Sequence, residues 1–355
     1  QTEIDAEALE AFDVVVKSPG ISPYKPEALA AMARGTRFIG GTALWFAAHP
    51  DERTICVTGT KGKSTVSSLI AHLLRAAGKK TALVGNIGLP LLETMAWAEQ
   101  PEFWVIELSS YQTAEAVKPE VAVMLNFYPE HLDWHVTEQT YFDDKSALIR
   151  HGQPLHAVLN RDAPRVAALA DGLQSDVCWF NDESSWHARG NMLHRGETPV
   201  LDLRELPMPG QHNAGNVCAA LAAIDALGLD AMALAMAVKS FQPLPHRLQN
   251  IGTHAGIRYV NDSISTTPYA SIAALEKKQG ASPLTWNYRG AAHLGKKDAT
   301  KARESFGQAL KLDPKFFPAA ANLAQLDIKD NQPAAARQRF EGVLKADPKH
   351  LNAML

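Results

Sequence analysis

The sequence contains little cysteine and no long apolar run. Its three cysteines, Cys56, Cys178 and Cys218, stand far apart, and no CxxC spacing occurs. This pattern excludes a disulfide framework and a zinc knuckle, and it favours a reducing compartment. No apolar stretch approaches the roughly 20 residues that cross a bilayer, and the first residues lack the basic start and apolar run of a signal peptide. We therefore expect a cytoplasmic protein without a membrane span.

The chain also lacks a strong charge of either sign. Its formal net charge is −3 at pH 7, but residues 283–355 hold 12 Lys and Arg against 7 Asp and Glu. The remaining residues are therefore acidic, and the change of sign indicates a domain boundary near residue 283. The basic excess is too diffuse to predict a nucleic-acid partner.

From Thr54 onward, short β-rich segments alternate with longer helical ones. Five segments are typical of buried strands: 54–59, 81–86, 102–110, 121–127 and 156–160. Strands that alternate with helices predict right-handed crossovers and a mostly parallel sheet covered on both faces. Ligands of such sheets bind at the carboxyl ends of the strands. The polar residues of this sequence gather at the same ends.

Shorter α/β segments flank this region. Residues 1–48 contain two strand-like segments around a helix, and no GxGxxG turn. Residues 209–228 predict a loop that enters an alanine-rich helix, residues 243–247 a proline-stiffened hinge, and residues 256–263 one more strand.

After residue 282 the sequence becomes periodic. An offset of 34 residues superposes small, aromatic, leucine and Asp-Pro positions: Ala302 on Ala336, Phe306 on Phe340, Leu310 on Leu344, and Asp313-Pro314 on Asp347-Pro348. This is the period of the tetratricopeptide repeat, in which pairs of antiparallel helices pack, and Trp286 and Gly290 fit the first helix. Residues 283–355 therefore predict two repeats and a surface for a protein partner. At least three repeats are usually needed to bury their faces.

The segment TGTKGKST, residues 58–65, follows a predicted strand and opens a helix. Gly59 and Gly62 allow the backbone to curl so that its N–H groups face a phosphate, while Lys63 adds a positive charge and Ser64 a hydroxyl for Mg²⁺. The spacing is shorter than GxxxxGK[ST], and a glycine-rich turn without function is the alternative. The order of strand, glycines, lysine, hydroxyl and helix favours a nucleoside triphosphate site.

Two further strand ends supply candidate metal ligands. Glu107 ends one strand, where its carboxylate would reach the same crevice, although a solvated strand end is the alternative. His131 follows another strand, with His135 four residues later, and His131 is the better functional candidate. The pattern EHLDWH is not HExxH, so a zinc protease is not predicted.

Seven motifs in this order resemble the Mur ligases, and within them the glutamate-adding MurD branch. They are GTKGKST, GNIG (85–88), ELSSYQ (107–112), NFYPEHLDWH (126–135), GQHNAGN (210–216), HR (246–247) and NDS (261–263). The resemblance covers residues 1 to about 276. It implies a bacterial enzyme of peptidoglycan synthesis that is active in cell growth and division.

The resemblance implies ATP-dependent amide ligation. The carboxylate of UDP-N-acetylmuramoyl-L-alanine would attack the γ-phosphate to give an acyl phosphate and ADP, and the amine of glutamate would then displace phosphate. Phosphoryl transfer between anions requires positive charge, which Lys63, Arg247 and Mg²⁺, expected as two ions, would supply. Lys145 matches a lysine that CO₂ carbamylates in the family, although the sequence alone would suggest a surface lysine.

The resemblance also assigns roles residue by residue. It implies catalytic roles for Lys63, His131, Lys145 and Arg247. It implies ATP contacts for Gly59, Thr60, Lys61, Gly62, Lys63, Ser64, Thr65, Asn213, Asn216, Arg247 and Asp262. It implies metal ligands at Ser64, Glu107, His131 and Lys145, and substrate contacts at Asn86 and Ser109. For the two asparagines after residue 210, helix capping is the alternative.

The sequence NDSISTTP, residues 261–268, bears on the stereochemistry of the amino acid. Common D-glutamate ligases carry a lysine two residues after the serine, whereas this version is similar to a variant group that adds L-glutamate. The motif therefore favours L-glutamate.

The expected fold is α/β, with a parallel-sheet P-loop ATPase core, partial flanking α/β domains and an α-helical tetratricopeptide tail. The expected domains are 1–48 (partial UDP-binding type), 49–245 (central ATPase), 246–280 (start of a truncated C-terminal ligase domain) and 283–355 (repeats). The segment expected to contact glutamate is replaced by repeats. A nucleotide-binding core joined to a protein-interaction module, without complete chemistry, is therefore the alternative function.

Overall fold

The computed structural model describes residues 6–208, 210–244, 249–254, 257–261, 282–295, 298–350 and 353. The chain divides into two compact units, Gln1–Pro243 and Leu244–Leu355. Among the described residues, no helix combines the length and the apolar character that crossing a membrane requires.

The strands are short, as is usual in α/β proteins. They are β1 (Val14–Lys17), β2 (Arg37–Gly40), β3 (Thr54–Thr58), β4 (Thr81–Gly85), β5 (Phe103–Glu107), β6 (Val121–Met124), β7 (His156–Asn160), β8 (Asp176–Phe180), β9 (Trp186–Arg189), β10 (Met192–Arg195), β11 (Thr198–Asp202), β12 (Gln249–His254) and β13 (Ile257–Asn261).

The α-helices are longest next to the large sheet and in the tail. They are α1 (Ala6–Glu10), α2 (Pro26–Ala33), α3 (Gly41–Ala48), α4 (Lys63–Ala76), α5 (Leu132–His135), α6 (Glu138–Arg150), α7 (Pro164–Ala167), α8 (Gln211–Ala226), α9 (Ala231–Leu234), α10 (Pro283–Gly295), α11 (Ala299–Leu312), α12 (Phe317–Lys329) and α13 (Pro333–Ala346).

The first unit contains a nine-stranded sheet. Its strand order is β11-β10-β9-β8-β7-β6-β3-β5-β4. Neighbouring strands from β4 to β9 are parallel, which confirms the predicted mostly parallel sheet. The pairs β9-β10 and β10-β11 are antiparallel. This extension was not predicted from the sequence, because its strands carry charged and polar residues instead of continuous apolar runs.

The central strands are buried on both faces, as strands in a parallel sheet must be. All five residues of β3 are buried, and so are all five of β5. Ile55 and Val57 point to a core shared with α4 and α8. Cys56, between them, points to the opposite core, where Trp45 and Trp104 pack edge to face. The short apolar run at residues 54–58 therefore reflects a strand sandwiched between two helical layers.

Residues 6–48 form a small α/β segment ahead of this sheet. Strands β1 and β2 pair in parallel, with α2 between them along the chain. Ser22 and Trp134 connect the segment to the core, because the Ser22 hydroxyl donates to the Trp134 carbonyl at 2.6 Å.

The described residues of the second unit include the antiparallel pair β12-β13 and the repeat helices α10 to α13. Helices α10 and α11 pack together, and so do α12 and α13, around a core that includes the fully buried Phe306. Gly290 lies against this ring, since a Cβ atom at Gly290 would meet the Phe306 ring. The helical repeat prediction is confirmed; the domain boundaries at residues 48, 245 and 280 stay predictions.

Candidate functional site

The predicted phosphate loop joins β3 to α4. Gly59 and Gly62 have φ angles of 150° and 91°, which favour glycine. A Cβ atom at Gly59 would lie 2.8 Å from the Leu125 side chain, and one at Gly62 would lie 2.6 Å from the Asn216 Oδ1 atom. Both the backbone angles and the close neighbours therefore require glycine. The loop ends at the start of α4, where the partial positive charge of a helix N-terminus attracts an anion.

Side chains from α6 and from the segment that follows β6 fix the loop. Asn126 Oδ1 accepts from the Lys61 backbone N–H at 2.8 Å, and Asn126 Nδ2 donates to the Lys61 carbonyl at 2.9 Å. The Thr60 hydroxyl lies 2.6 Å from the Tyr141 hydroxyl. Asn126 and Tyr141 were not predicted as loop supports, although Asn126 is a polar residue near the end of the predicted strand segment 121–127, which was a usable signal.

The first turn of α4 holds the three polar residues that follow Gly62. Lys63 Nζ donates to the Thr60 carbonyl at 3.1 Å, so the side chain folds back over the loop. Ser64 is buried and Thr65 is half-buried. This arrangement supplies positive charge and hydroxyl groups at a helix N-terminus.

Glu107 ends β5 inside the same crevice. Its side chain is buried, with the residue 1% exposed. Asn86 Nδ2 donates to Glu107 Oε1 at 3.1 Å, but Oε2 is buried without a hydrogen-bond partner in the described part of the chain. An unpaired buried carboxylate oxygen is unfavourable in a protein alone and is suited to a hard cation.

Lys145 is buried on α6, with 2% exposure, so the reading of this residue as a surface lysine is wrong. Its Nζ donates to the Gly59 carbonyl at 3.1 Å. Burial, and then the positive charge of Lys63, lower the pKa of Lys145 well below 10.5; Glu130 and Glu107 oppose this shift. The amine therefore loses its proton far more readily than an ordinary lysine.

His131 immediately precedes α5 and is exposed. Its φ angle is 56°, in the left-handed region. Partial burial lowers the pKa of His131; the carboxylates of Glu130 and Asp133 raise it, and Lys145 lowers it further. Glu130 also forms an ion pair with Lys61 at 2.5 Å, which ties the phosphate loop to the segment that carries His131.

His135 differs from His131 in every respect. It is fully buried. Its two ring nitrogens lie 2.8 Å from Ser110 Oγ and 2.7 Å from Asp144 Oδ2. The structure thus places His131 at the surface and His135 in the interior, and the choice of His131 as the functional residue stays a prediction.

The predicted metal set combines a hydroxyl, a carboxylate, an imidazole and a lysine. No cluster of three or more His, Cys, Asp or Glu ligands occurs within the described ranges. The predicted set contains only Glu107 and His131 from those types. The unpaired Glu107 oxygen fits a bound Mg²⁺, and the low pKa of Lys145 fits a lysine that becomes an anionic ligand after carbamylation.

The remaining predicted contacts are divided between described and undescribed residues. Asn213 and Asn216 lie near the start of α8, where Asn216 Nδ2 donates to Asn213 Oδ1 at 3.0 Å. The helix cap is Gly210, without a side-chain capping bond, so these asparagines do not fill the cap position. Asn216 also lies beside Gly62, so α8 adjoins the phosphate loop.

On the opposite side of the site, Asn86 binds Glu107, and Ser109 Oγ donates to Gln112 Oε1 at 2.7 Å. Arg247 and Asp262 lie outside the described residues.

Comparison with known families matches two parts of the chain. The Mur ligase middle domain matches residues 57–224, and the tetratricopeptide repeat matches residues 293–355. The first match contains the phosphate loop and the candidate metal ligands.

Named relatives extend this similarity. A protein of Xanthomonas campestris pv. campestris, named UDP-N-acetylmuramoyl-L-alanine--L-glutamate ligase, is 58% identical over 284 residues, covering 78% of this chain and 60% of the relative. A protein of the same name from Xylella fastidiosa is 56% identical over 285 residues, covering 78% of this chain and 61% of the relative. The chain thus spans about 60% of the length of these relatives.

A solved structure shares the fold. The MurF structure from Acinetobacter baumannii matches with a TM-score of 0.60 and 18% identity, covering 93% of this chain and 87% of that one. At this identity the similarity concerns the fold alone.

Proposed function

The chain belongs to the Mur ligase family through residues 57–224, and we propose on that premise that it ligates L-glutamate to UDP-N-acetylmuramoyl-L-alanine with ATP. The observation that supports this most is the buried cluster at the phosphate loop, where Glu107 and Lys145 adjoin Gly59 and Lys63. The choice of L-glutamate rests on the names of relatives up to 58% identical to this chain. The NDSISTTP sequence favours the same enantiomer.

The reaction follows the chemistry predicted from the motifs. The muramoyl-alanine carboxylate attacks the γ-phosphate of ATP, forming a carboxyl-phosphate bond and releasing ADP. The glutamate amine then attacks the acyl carbon, an amide bond forms, and phosphate leaves. These two reaction steps require a high positive charge around the phosphates and a site that excludes water from the acyl phosphate.

Different residues of the site would bind the phosphates, the metal, the adenine and the muramoyl substrate. The α4 N-terminus and Lys63 hold the β- and γ-phosphates, and Lys63 offsets the negative charge that the attacking carboxylate brings. Ser64, Glu107 and His131 would hold Mg²⁺, expected as two ions. When bound, the metal neutralises phosphate charge. Asn213 and Asn216 are the expected adenine contacts, and Arg247 and Asp262 would complete the nucleotide site. Asn86 and Ser109 lie on the muramoyl side.

Lys145 would act as a carbamate. Its neutral amine attacks CO₂, forming an N–C bond and releasing one proton, and the product is an anion that can orient a metal ligand set. The low pKa supports this step, because only the unprotonated amine attacks CO₂. We expect a carbamate carbon signal in ¹³C NMR with labelled bicarbonate, and its absence in Lys145→Arg. An unchanged signal in that variant would assign the carbamate to another amine.

The decisive experiment measures phosphate release by the purified chain with ATP, UDP-N-acetylmuramoyl-L-alanine and either glutamate enantiomer. We expect release that depends on both substrates and prefers L-glutamate. Lys63→Ala should reduce it by roughly 10²- to 10³-fold, since it removes a charge from the transferred phosphate. Lys80→Ala, at an exposed lysine, is the matched control and should retain full activity.

The competing function is a nucleotide-binding core that serves a protein-interaction module. Release that ignores both glutamates, together with ATP binding that Lys63→Ala abolishes, would favour it over the ligase. The names of the relatives support the ligase instead. Under either function, the repeats offer a surface for a protein partner.

A further inference from the structure

A chain of hydrogen bonds, buried at Ser110 and His135 and partly buried at Tyr24 and Asp144, runs behind the candidate site. The Tyr24 hydroxyl donates to Asp144 Oδ1 at 2.5 Å, and His135 Nδ1 lies 2.7 Å from Asp144 Oδ2. On the other side of the ring, His135 Nε2 lies 2.8 Å from Ser110 Oγ. The proposed ligation reaction assigns no role to these four residues.

The order of serine, histidine and aspartate is that of a nucleophilic triad, but the burial excludes this role. His135 is fully buried, and Ser110 is 4% exposed. A nucleophilic serine must reach a substrate carbonyl. The role of these hydrogen bonds is therefore to hold neighbouring segments of the protein in place.

Three members of the chain, Ser110, Asp144 and His135, lie on the segments that carry residues of the candidate site. Ser110 follows Ser109, and Asp144 precedes Lys145. His135 ends the single-turn helix α5, which His131 precedes. One imidazole thus joins three segments of the site, from the end of β5, from α5 and from α6.

The backbone of α5 needs such an anchor. His131 and Val136, which flank the helix, have φ angles of 56° and 68°. A non-glycine residue in this region is strained, and Val136 is β-branched, so surrounding contacts must maintain the conformation. A helix of four residues cannot provide them by itself.

Aromatic packing adds to the anchor but does not replace it. Tyr111 stacks on Trp134 and on His135, with ring centroids 4.6 Å and 5.6 Å apart. The same tyrosine ring lies 5.4 Å from the His131 ring. The packing fixes the plane of the His135 ring, while its two hydrogen bonds fix the distances to β5 and α6.

We infer that His135 is a positioning residue, which holds His131 and Lys145 at fixed positions relative to the phosphate loop. The expected change in kcat rests on the proposed function, because it is measured in the ligation reaction. Through Asp144 and Tyr24, the same chain of hydrogen bonds connects His135 to residues 19–24 of the first segment. The Trp134 indole, which donates to the Pro19 carbonyl at 3.1 Å, makes a parallel connection.

Two substitutions separate the two hydrogen bonds of the ring. His135→Asn retains a donor near the Nδ1 position, and with it the bond to Asp144 beside Lys145. His135→Gln retains a polar atom near Nε2, and with it the bond to Ser110. We expect kcat for L-glutamate-dependent phosphate release to fall roughly 10²-fold in His135→Gln, the scale of a 1 Å misplacement. In His135→Asn, kcat should fall less than about tenfold, and KM for L-glutamate should stay within about twofold in both variants.

The split between kcat and KM distinguishes positioning from general destabilisation. His194→Asn alters another buried histidine, in β10, and is the matched control that should leave kcat unchanged. Equal kcat in both His135 variants and the wild type would overturn the inference. An equal kcat loss in the Asn and Gln variants would overturn it too. If either variant fails to fold, Tyr24→Phe removes a single hydroxyl from the same chain of hydrogen bonds, and we expect a several-fold loss of kcat at unchanged KM for L-glutamate.

A binding measurement separates this inference from the proposed function. We expect calorimetric ATP affinity in EDTA to be equal in wild type and His135→Gln, and the gain in affinity on adding Mg²⁺ to be smaller in the variant. If the wild type shows no ligation but the Mg²⁺ gain is lost, the positioning role stands and the proposed function fails. If ligation occurs and the variant retains the full Mg²⁺ gain and kcat, the positioning role fails alone.

Discussion

Glu107 shows at the scale of one residue how the candidate site departs from an ordinary protein interior. One carboxylate oxygen accepts a hydrogen bond from Asn86, and the other is buried without a partner in the described chain. Most buried polar atoms in proteins are paired, because an unpaired one is unfavourable by roughly 1–3 kcal/mol. The unpaired oxygen therefore marks a position that a cation would stabilise.

Glu107→Gln tests this interpretation. The substitution removes a negative charge beside the phosphate loop, so we expect ATP affinity in EDTA to rise about two- to fivefold, as repulsion decreases. The gain in affinity on adding Mg²⁺ should fall at least about tenfold. Isothermal titration with and without Mg²⁺ measures both. Glu99→Gln, at an exposed carboxylate, is the control, and an unchanged Mg²⁺ gain in Glu107→Gln would contradict the metal assignment.

The pKa of Lys17 leads to a prediction of how the free energy of unfolding depends on pH. This lysine ends β1 and is 8% exposed; burial lowers its pKa below 10.5, although Glu115 and Asp144 raise it. Between the folded pKa and 10.5 the unfolded state binds the proton and the folded state does not, so the free energy of unfolding rises with pH. We expect wild type to gain more stability than Lys17→Met between pH 7 and pH 10.

Urea unfolding at several pH values measures this difference. Lys25→Met, at an exposed lysine of the same segment, is the control and should keep the wild-type slope. Parallel curves for wild type and Lys17→Met would show that the folded state does not perturb Lys17.

At the scale of elements, the repeat helices depend on close packing between α10 and α11. Gly290 faces Phe306, which is fully buried in the core of the tail. A Cβ atom at Gly307, on α11, would point into open space. The two glycines therefore make a matched pair, one required by packing and one not.

Alanine substitution should act on the two glycines with opposite sign. Gly290→Ala forces a methyl group into the Phe306 ring and should destabilise the tail by about 1–3 kcal/mol through overpacking. Gly307→Ala should stabilise it by about 0.5–1 kcal/mol, because alanine favours a helix interior. Denaturant unfolding monitored by circular dichroism tests both, and equal effects would contradict the packing at Gly290.

At the scale of the whole molecule, the chain divides between residues 243 and 244 into two compact units. The phosphate loop and the described candidate ligands belong to the first unit. A ligand that binds the folded state stabilises only the cooperative unit that holds its site, by about 2.7 kcal/mol at 100 times Kd.

We therefore expect two unfolding transitions in calorimetry, and ATP with Mg²⁺ should raise the midpoint of the first unit's transition more than that of the second. Gly290→Ala should lower the midpoint of the second without changing the ATP response. A single transition that shifts as a whole with ATP would indicate that the units unfold together. ADP without metal serves as the weaker ligand control.

Much of the site was predictable because its chemistry depends on local order. The strand, the glycines and Lys63 occupy consecutive positions, and only glycine accepts the φ angles at residues 59 and 62. The burial of Lys145 was not predictable from periodicity alone, since α6 is polar along most of its sequence. The role of Asn126 in supporting the loop was not predictable for a different reason: its two hydrogen bonds are to Lys61, which is 65 residues away in the sequence.

The sequence by itself determined the classes of structure. Apolar strands, helical periods and the 34-residue offset follow from near neighbours, so they indicated a mostly parallel sheet, a phosphate loop and helical repeats. Tertiary structure alone decided which polar groups meet. The low pKa of Lys145, the unpaired oxygen of Glu107 and the bonds of His135 to Ser110 and Asp144 arise because distant segments remove these groups from water together. Desolvation and pairing are properties of the folded interior, and no local pattern encodes them.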